Sequence, residues 1–275
     1  MFDQSFTVLM PTYDRDDLFT SFNKSVDSCL NNTLLPNAII IVIDGPVREK
    51  FAEKIRSYQK HPLIEIVWLD KNVGLTRALN IGLKKVKTKY VFRADGDDVN
   101  RLNRFELQIN ILKSGYGLVS GAVEEVDECG KYIATKRVPT THEDILRICK
   151  RRNPFNHMAM AFELKSALDV GGYPDLYLKE DWGLWVLMLE RGIKGYNSQE
   201  IFADVSGGAG MFARRGGIKN ISGEIGIQRF LVKFAHKHRL LAVADFLGRL
   251  IIMNIPGKWK SFIYLNFMRS KESRD

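Results

Sequence analysis

The sequence predicts an α/β fold, a mostly parallel sheet with helices on both faces, followed by a C-terminal helical tail. Three observations carry this. Short β-rich runs alternate with helix-length amphipathic segments through the first half of the chain. A polar or acidic cluster follows almost every run, where an open α/β sheet places its ligand crevice. The composition, 45% hydrophobic and 27% charged over 275 residues, supplies a large core and lacks the bias of a disordered chain.

In chain order, strands are expected at 6–10, 38–43, 64–69 and 90–93, with helices at 17–31, 48–59 and 76–85 between them. The clusters after the strands are Pro11-Thr12-Tyr13, Asp44-Gly45, Asp70-Lys71-Asn72 and Asp95-Gly96-Asp97-Asp98. Beyond them, runs at 118–126 and 131–138 read as strands around the turn Glu128-Cys129-Gly130, and a helix covers 142–151. Gly171-Gly172-Tyr173-Pro174 is a turn, and 182–192 reads as a helix closed by Gly192. With no repeat and no low-complexity linker, the chain divides into 1–120, 121–210 and a tail, 211–275, the first two sharing one site.

The net charge of +9 is local: residues 211–275 hold 13 Lys/Arg against 4 Asp/Glu, and the first 210 hold 28 of each. A neutral body with a basic tail points to an anionic partner, phosphate-bearing lipid or nucleic acid, or to solubility alone. Cys29, Cys129 and Cys149 are odd in number and widely spaced, which implies neither a disulfide framework nor a zinc site and fits a reducing cytoplasm. No basic segment leads into an apolar run at the N-terminus, and no stretch approaches the ~20 apolar residues that span a bilayer. Any membrane contact is therefore expected to be peripheral.

Asp95, Asp97 and Asp98 place three carboxylates in four residues directly after an apolar strand. Such a cluster repels itself unless a cation is bound, and a hard divalent ion can bridge carboxylates to a diphosphate. A second acidic pair, Glu180-Asp181, opens an otherwise apolar helix. It reads equally as a favourable helix N-terminus and as a base for an acceptor hydroxyl.

With these elements assembled, the chain resembles the family 2 inverting glycosyltransferases of the Rossmann-like GT-A fold, in particular bacterial O-antigen and exopolysaccharide members. The matching segments run in the family's order over residues 6–192: Val8-Leu9-Met10-Pro11-Thr12-Tyr13, Val42-Ile43-Asp44-Gly45, Asn72-Val73-Gly74-Leu75 with Arg77 and Asn80, Asp95-Gly96-Asp97-Asp98, and Gly171-Gly172-Tyr173 with Glu180-Asp181. The resemblance implies a nucleotide-sugar-binding half at 1–120 and an acceptor half with the catalytic base at 121–210. It implies that Pro11, Thr12, Tyr13 and Asp44 hold base and ribose, with Asp44 accepting from a uracil imide, and that Asn72 and Arg77 lie near base and diphosphate. Asp95 would touch ribose or metal, Asp97 would be the main ligand of Mn²⁺ or Mg²⁺, Asp98 would orient its neighbours, and Asp181 would be the base. The family's second strand ordinarily ends in paired acids and a Ser, whereas Asp44 is followed here by Gly45 and Pro46. A third metal ligand, His in many relatives, has only His236 and His238 after Asp181 to draw on, and neither is assigned.

Further candidates carry two readings each. His157, in Asn153-Pro154-Phe155-Asn156-His157, binds sugar hydroxyls or is structural; Trp182 is an acceptor platform or core; Arg214 and Arg215, flanked by glycines, close over a diphosphate or form a basic turn. In the tail, Ile227, Phe230, Leu231 and Phe234 share one helical stripe and Arg229, Lys233 and Lys237 another. Farther on, Phe246, Leu250, Ile251, Trp259 and Phe262 lie among Arg249, Lys258 and Lys260, a mixture suited to anionic headgroups or to a helix packed on the body. The function expected is a metal-dependent hexosyltransferase using a UDP-sugar and a saccharide acceptor on a polyprenyl diphosphate, cytoplasmic and peripheral at the inner membrane face, with no nucleic-acid partner. The alternatives are a nucleotidyltransferase and a protein binding nucleic acid through its tail.

Overall fold

The computed structural model describes residues 5–207 and 218–254. The expected alternation runs β1 (Phe6–Thr12), α1 (Asp16–Leu30), β2 (Ala38–Ile43), α2 (Glu49–Tyr58), β3 (Ile64–Trp68), α3 (Leu75–Leu83) and β4 (Tyr90–Arg93). Then come β5 (Val99–Asn100), α4 (Arg104–Lys113), β6 (Leu118–Val126), β7 (Tyr132–Lys136) and α5 (His142–Cys149). After a short 3₁₀ turn follow β8 (Ala161–Glu163), α6 (Leu164–Asp169), α7 (Glu180–Glu190), β9 (Gly195–Ser206), α8 (Ile218–Phe234) and α9 (Arg239–Asn254).

Every residue of β1 is buried, and the two-residue period of a strand divides them between two cores. Phe6, Val8 and Met10 join Ile39, Ile41 and Ile43 of β2 on one face, where Phe22 of α1, Phe51 of α2 and Phe105 of α4 cover them. Leu9, Ile40 and Val42 face the other way, under Leu79 of α3, Ile145 of α5 and Trp185 of α7. A Cβ on Gly82 would lie 2.3 Å from Leu9 Cδ1, so α3 rests on the sheet at a distance only glycine permits. Each fully buried Leu, Ile or Phe adds about 1.5–3 kcal/mol of transfer free energy, which makes these two layers the main driving force for the fold.

The strand order is β3-β2-β1-β4-β8-β6-β9-β5, with β7 also paired to β6. The first four strands are parallel, and β8 enters antiparallel to both β4 and β6. β6 runs parallel to β9 and antiparallel to β7, so the sheet is parallel in its first half and mixed in its second. Position 120 falls inside β6, so the two halves share one continuous sheet. β5 pairs with β9 through Val99 with Asp204, which anchors the end of the acidic loop to a strand more than a hundred residues away.

The tail separates into two kinds of helix. Ile227 and Leu231 of α8 are buried against Trp182 and Val186 of α7, as expected for a helix packed on the body. The expected basic stripe stops at Phe234: His236 turns the chain through φ 49°, and Lys237 is buried, its Nζ donating to Gln228 and to Asp245 at 2.7 Å. On α9, by contrast, Leu240, Val243, Leu247 and Ile251 are exposed. Among the described residues no helix is long and apolar enough to cross a membrane. Arg214, Arg215, Lys258, Trp259, Lys260 and Phe262 lie outside the described residues.

Candidate active site

Because β1, β2 and β4 are parallel neighbours, their carboxyl ends face one way and their loops meet there. The loops enclose a cleft of about 450 Å³ lined by Pro11, Thr12, Tyr13, Asp44, Asn72, Asp95 and Asp97, seven of the residues expected from the sequence. Arg77 does not join them: it is exposed on α3 and stands apart from the cleft lining.

At one end, Asp44 is tied down by backbone donors. Its carboxylate accepts from the N–H groups of Val73 (2.7 Å) and Gly74 (3.0 Å), and Asn72 Nδ2 donates to its carbonyl at 3.1 Å. Gly45 makes this possible with φ 95°, since a Cβ there would lie 2.5 Å from Asn72 N. The Gly45 that departs from the common family pattern is thus required by the close approach of the two loops. Thr12 Oγ1, buried beside the same wall, has no hydrogen-bond partner among the described residues.

At the other end stands the acidic loop. Asp95 accepts from the buried Arg93, and against the upward push of burial that guanidinium holds its carboxyl below the usual range. Burial and the charge of Asp95 push Asp97 up, and burial with both neighbours pushes Asp98 well up. Asp98 accepts from Ser206 N at 3.0 Å while Ser206 Oγ donates to Asp97 O, so Asp98 shapes the loop rather than facing the cleft. Beneath lies Arg104, fully buried and lowered to about 10 by burial and by Arg93, donating to the carbonyl of Arg93 at 2.7 Å. Among the described residues no group of three or more His, Cys, Asp or Glu is arranged to hold a metal ion by itself. The protein donors available at this end of the cleft are the carboxylates of Asp95 and Asp97, oxygen ligands of the kind that Mn²⁺ or Mg²⁺ takes together with phosphate oxygens and water.

Asp181 sits in the first turn of α7 and accepts from Asn153 Nδ2 at 2.6 Å. His157 Nδ1 is 4.0 Å from the same Asp181 oxygen, and its Nε2 is 3.2 Å from Tyr173 OH. Burial and Arg93 push His157 down to about 4, so it is a neutral imidazole at neutral pH. His157 also feels the charge of Asp95, which links the His157–Asp181 pair to the acidic loop. Glu180, buried beside Asp181, is raised to about 7 by burial and by its neighbour. Tyr173 is aimed by the turn before it: Asn80 of α3 accepts from Tyr173 N (2.9 Å) and donates to Tyr173 O (2.8 Å).

Trp182 is placed otherwise than an acceptor platform requires. It is 2% exposed, its indole N–H donates to Cys149 O at 2.7 Å, and Arg249 lies 5.2 Å over its ring, so it belongs to the core. His236 and His238 are exposed on the tail and complete no metal site with the acidic loop.

Sequence reasoning missed four residues that matter here: Arg15, Arg93, Tyr177 and Leu178. Arg15 lines the cleft and pairs with Asp97 at 2.6 Å. Tyr177 and Leu178 form an exposed apolar lip, with Leu178 in the left-handed region at φ 56°. Gly223 of α8 lies directly under Tyr177 O, and Glu224 of α8 pairs with Lys179 at 2.6 Å, which holds this lip in place. The only sequence signal for Arg15 is its place two residues after Tyr13; the lip has no periodicity to announce it.

The family model for glycosyl transferase family 2 matches residues 7–172. The chain is 35% identical over 268 residues, 96% of each chain, to the UDP-Gal:alpha-D-GlcNAc-diphosphoundecaprenol beta-1,3-galactosyltransferase of Escherichia coli. It is 32% identical over 262 residues, 94% of this chain and 97% of the relative, to the amylovoran biosynthesis glycosyltransferase AmsE of Erwinia amylovora. The crystal structure of S. aureus TarS 1–349 in complex with UDP superposes with a TM-score of 0.65 at 13% identity, covering 95% of this chain and 78% of that one. Cleft, acidic loop and relatives over nearly the whole length agree: the chain is a GT-A-fold enzyme that belongs to glycosyltransferase family 2.

Proposed function

We propose that this glycosyltransferase moves a hexose from a UDP-sugar, with inversion at the anomeric carbon, onto a saccharide carried by a lipid diphosphate during assembly of a bacterial surface polysaccharide. The observation that carries the reading is the meeting of Asp44, Asp95 and Asp97 in one cleft, with Asp95 and Asp181 both acting on His157. The E. coli relative, which by its name transfers galactose from UDP-Gal to a diphosphoundecaprenol-linked sugar, supports the choice of donor and acceptor class.

In this reading, Pro11, Thr12, Tyr13 and Asn72 wall the nucleotide end, and Asp44 keeps lone pairs for the base imide. Asp95 and Asp97 are the residues that would hold a Mn²⁺ or Mg²⁺ ion, and the chemistry such an ion would supply is Lewis-acid neutralisation of the diphosphate leaving group. Asp181 takes the acceptor hydroxyl proton as that oxygen bonds to the anomeric carbon; the bond to UDP breaks on the opposite face, and one displacement inverts the centre. Asn153 and neutral His157 orient the Asp181 carboxylate, and Glu180, raised to about 7, limits the negative charge crowded beside it. The match to family 2 decides against the nucleotidyltransferase alternative. A lipid-linked acceptor calls for a peripheral contact at the inner face of the cytoplasmic membrane, and the exposed apolar residues of α9 together with the basic residues that follow it in the sequence support that reading.

The test is a panel of nucleotide sugars incubated with Mn²⁺ and a polyprenyl-diphosphate-linked sugar, with metal-dependent UDP release as the readout. Asp181→Asn is expected to lower transfer by about 10²–10⁴-fold while donor affinity stays within a few-fold. Loss of donor binding in that variant would move Asp181 from base to donor contact, and absence of UDP release with every donor would sink the reading.

A further inference from the structure

The acidic loop is balanced by two arginines held in different ways. Arg93 is 1% exposed, donates to both Ala94 O and Asp95, and is not among the residues that line the cleft. Arg15 is 23% exposed on the cleft wall and divides its guanidinium among three partners: Nε to Asp17, one terminal nitrogen to Tyr13 OH at 3.1 Å, the other to Asp97 at 2.6 Å. Rotation about the Nε–Asp17 contact therefore frees Asp97 without setting Arg15 adrift.

Resting on the reading of Asp97 as a metal ligand, we propose that Arg15 is an exchangeable counter-ion: it neutralises Asp97 before a divalent ion arrives, then passes to the donor's diphosphate. A divalent cation that takes the Asp97 oxygen competes directly with the guanidinium 2.6 Å from it, and the repulsion between two cations on one acceptor weakens the Arg15 contact. The incoming anion in the same cleft is the diphosphate, whose oxygens match the arginine fork. Two consequences follow together. Arg15 holds back binding of metal alone, and it strengthens binding of metal with nucleotide, so the two load as a unit.

The counter-ion role predicts effects of opposite sign, which a purely structural arginine would not produce. Mn²⁺ is titrated calorimetrically into the full-length wild type, Arg15→Ala and Arg15→Gln, first alone and then, at saturating Mn²⁺, UDP is titrated into each. Both variants are expected to bind Mn²⁺ alone about tenfold more tightly and UDP about tenfold more weakly. Mn²⁺ affinity unchanged or lowered in the variants, including no measurable binding in any form, overturns the proposal, and so does UDP affinity unchanged or raised. Wild-type protein that takes no UDP at saturating Mn²⁺ defeats the donor reading instead, and the Mn²⁺ titrations alone then decide whether Arg15 guards Asp97.

Discussion

Glu180 and Asp181 are adjacent in the first turn of α7, yet the fold treats them differently: Glu180 is 5% exposed, while Asp181 receives a hydrogen bond from Asn153. Burial and the neighbouring carboxylate raise Glu180 from 4.5 to about 7, so between those values the unfolded chain releases this proton before the folded one does. Stability from this group therefore falls as pH rises from 4.5 to about 7, and the penalty is complete above that, on the order of 3 kcal/mol. Glu180→Gln is expected to match wild type near pH 4.5 and to exceed it near pH 8, measured as the difference in denaturant midpoint between the two proteins. Taking the difference matters because His157, lowered from 6.5 to about 4, tilts both curves the other way, costing stability as pH falls through that window. Asp44, Asp95, Asp97 and Asp181 were legible in the sequence because each follows a strand or opens a helix in a fixed order. Arg15 and Arg93 were not, because charge in a sequence carries no direction: Arg15 reaches its partner Asp97 across 82 positions.

At the scale of elements, a tie between α3 and the turn before α7 aims Tyr173 at His157. Gly172 adopts φ 75°, and a Cβ there would stand 2.4 Å from Asn80 Oδ1, the atom that accepts from Tyr173 N. Gly172→Ala is expected to cost about 2–3 kcal/mol in chemical denaturation, from left-handed strain and a broken Asn80 contact. The sequence announced this glycine pair as a turn. It did not announce α4, whose buried face sets the polar Arg104 and Gln108 among Phe105, Ile109 and Leu112, so that charge and amide break up the apolar stripe. Those side chains earn burial by bonding the carbonyls of Arg93, Val119 and Ala159, partners that exist only once the sheet is assembled. β5 and β8, two and three residues long, are too short to leave a period, and β9 mixes polar and apolar residues along its length.

Over the whole molecule, α8 is bound to the catalytic half, while α9 presents Leu240, Val243, Leu247 and Ile251 to solvent at i, i+3, i+7 and i+11, Ile251 at 68% exposure. Between them, Arg249 donates to Arg151 O, two residues before the Asn153 that holds Asp181, and Asp245 pairs with Arg151 at 2.9 Å. The exposed face is thus carried on a helix fastened close to Asp181. The double variant Leu247→Glu/Ile251→Glu is expected to lower partitioning onto anionic phospholipid vesicles by about 10–100-fold while leaving UDP affinity unchanged. Vesicle cosedimentation checks it, and unchanged partitioning would leave α9 as a helix packed on the body with no part in membrane contact.

By itself the sequence determined the alternation of strands and helices, the loops at the strand ends, the acidic cluster and the family to which they belong. These are properties of local period and order, set by residues close together in the chain. The tertiary structure alone decided which side chains meet: that Arg15 occupies Asp97, that Arg93 lies beneath Asp95, that Trp182 is core and Tyr177 is lip, and that Arg77 stands outside. Burial and charge pairing arise between segments tens of residues apart, so their outcome exists only after the sheet has brought those segments together.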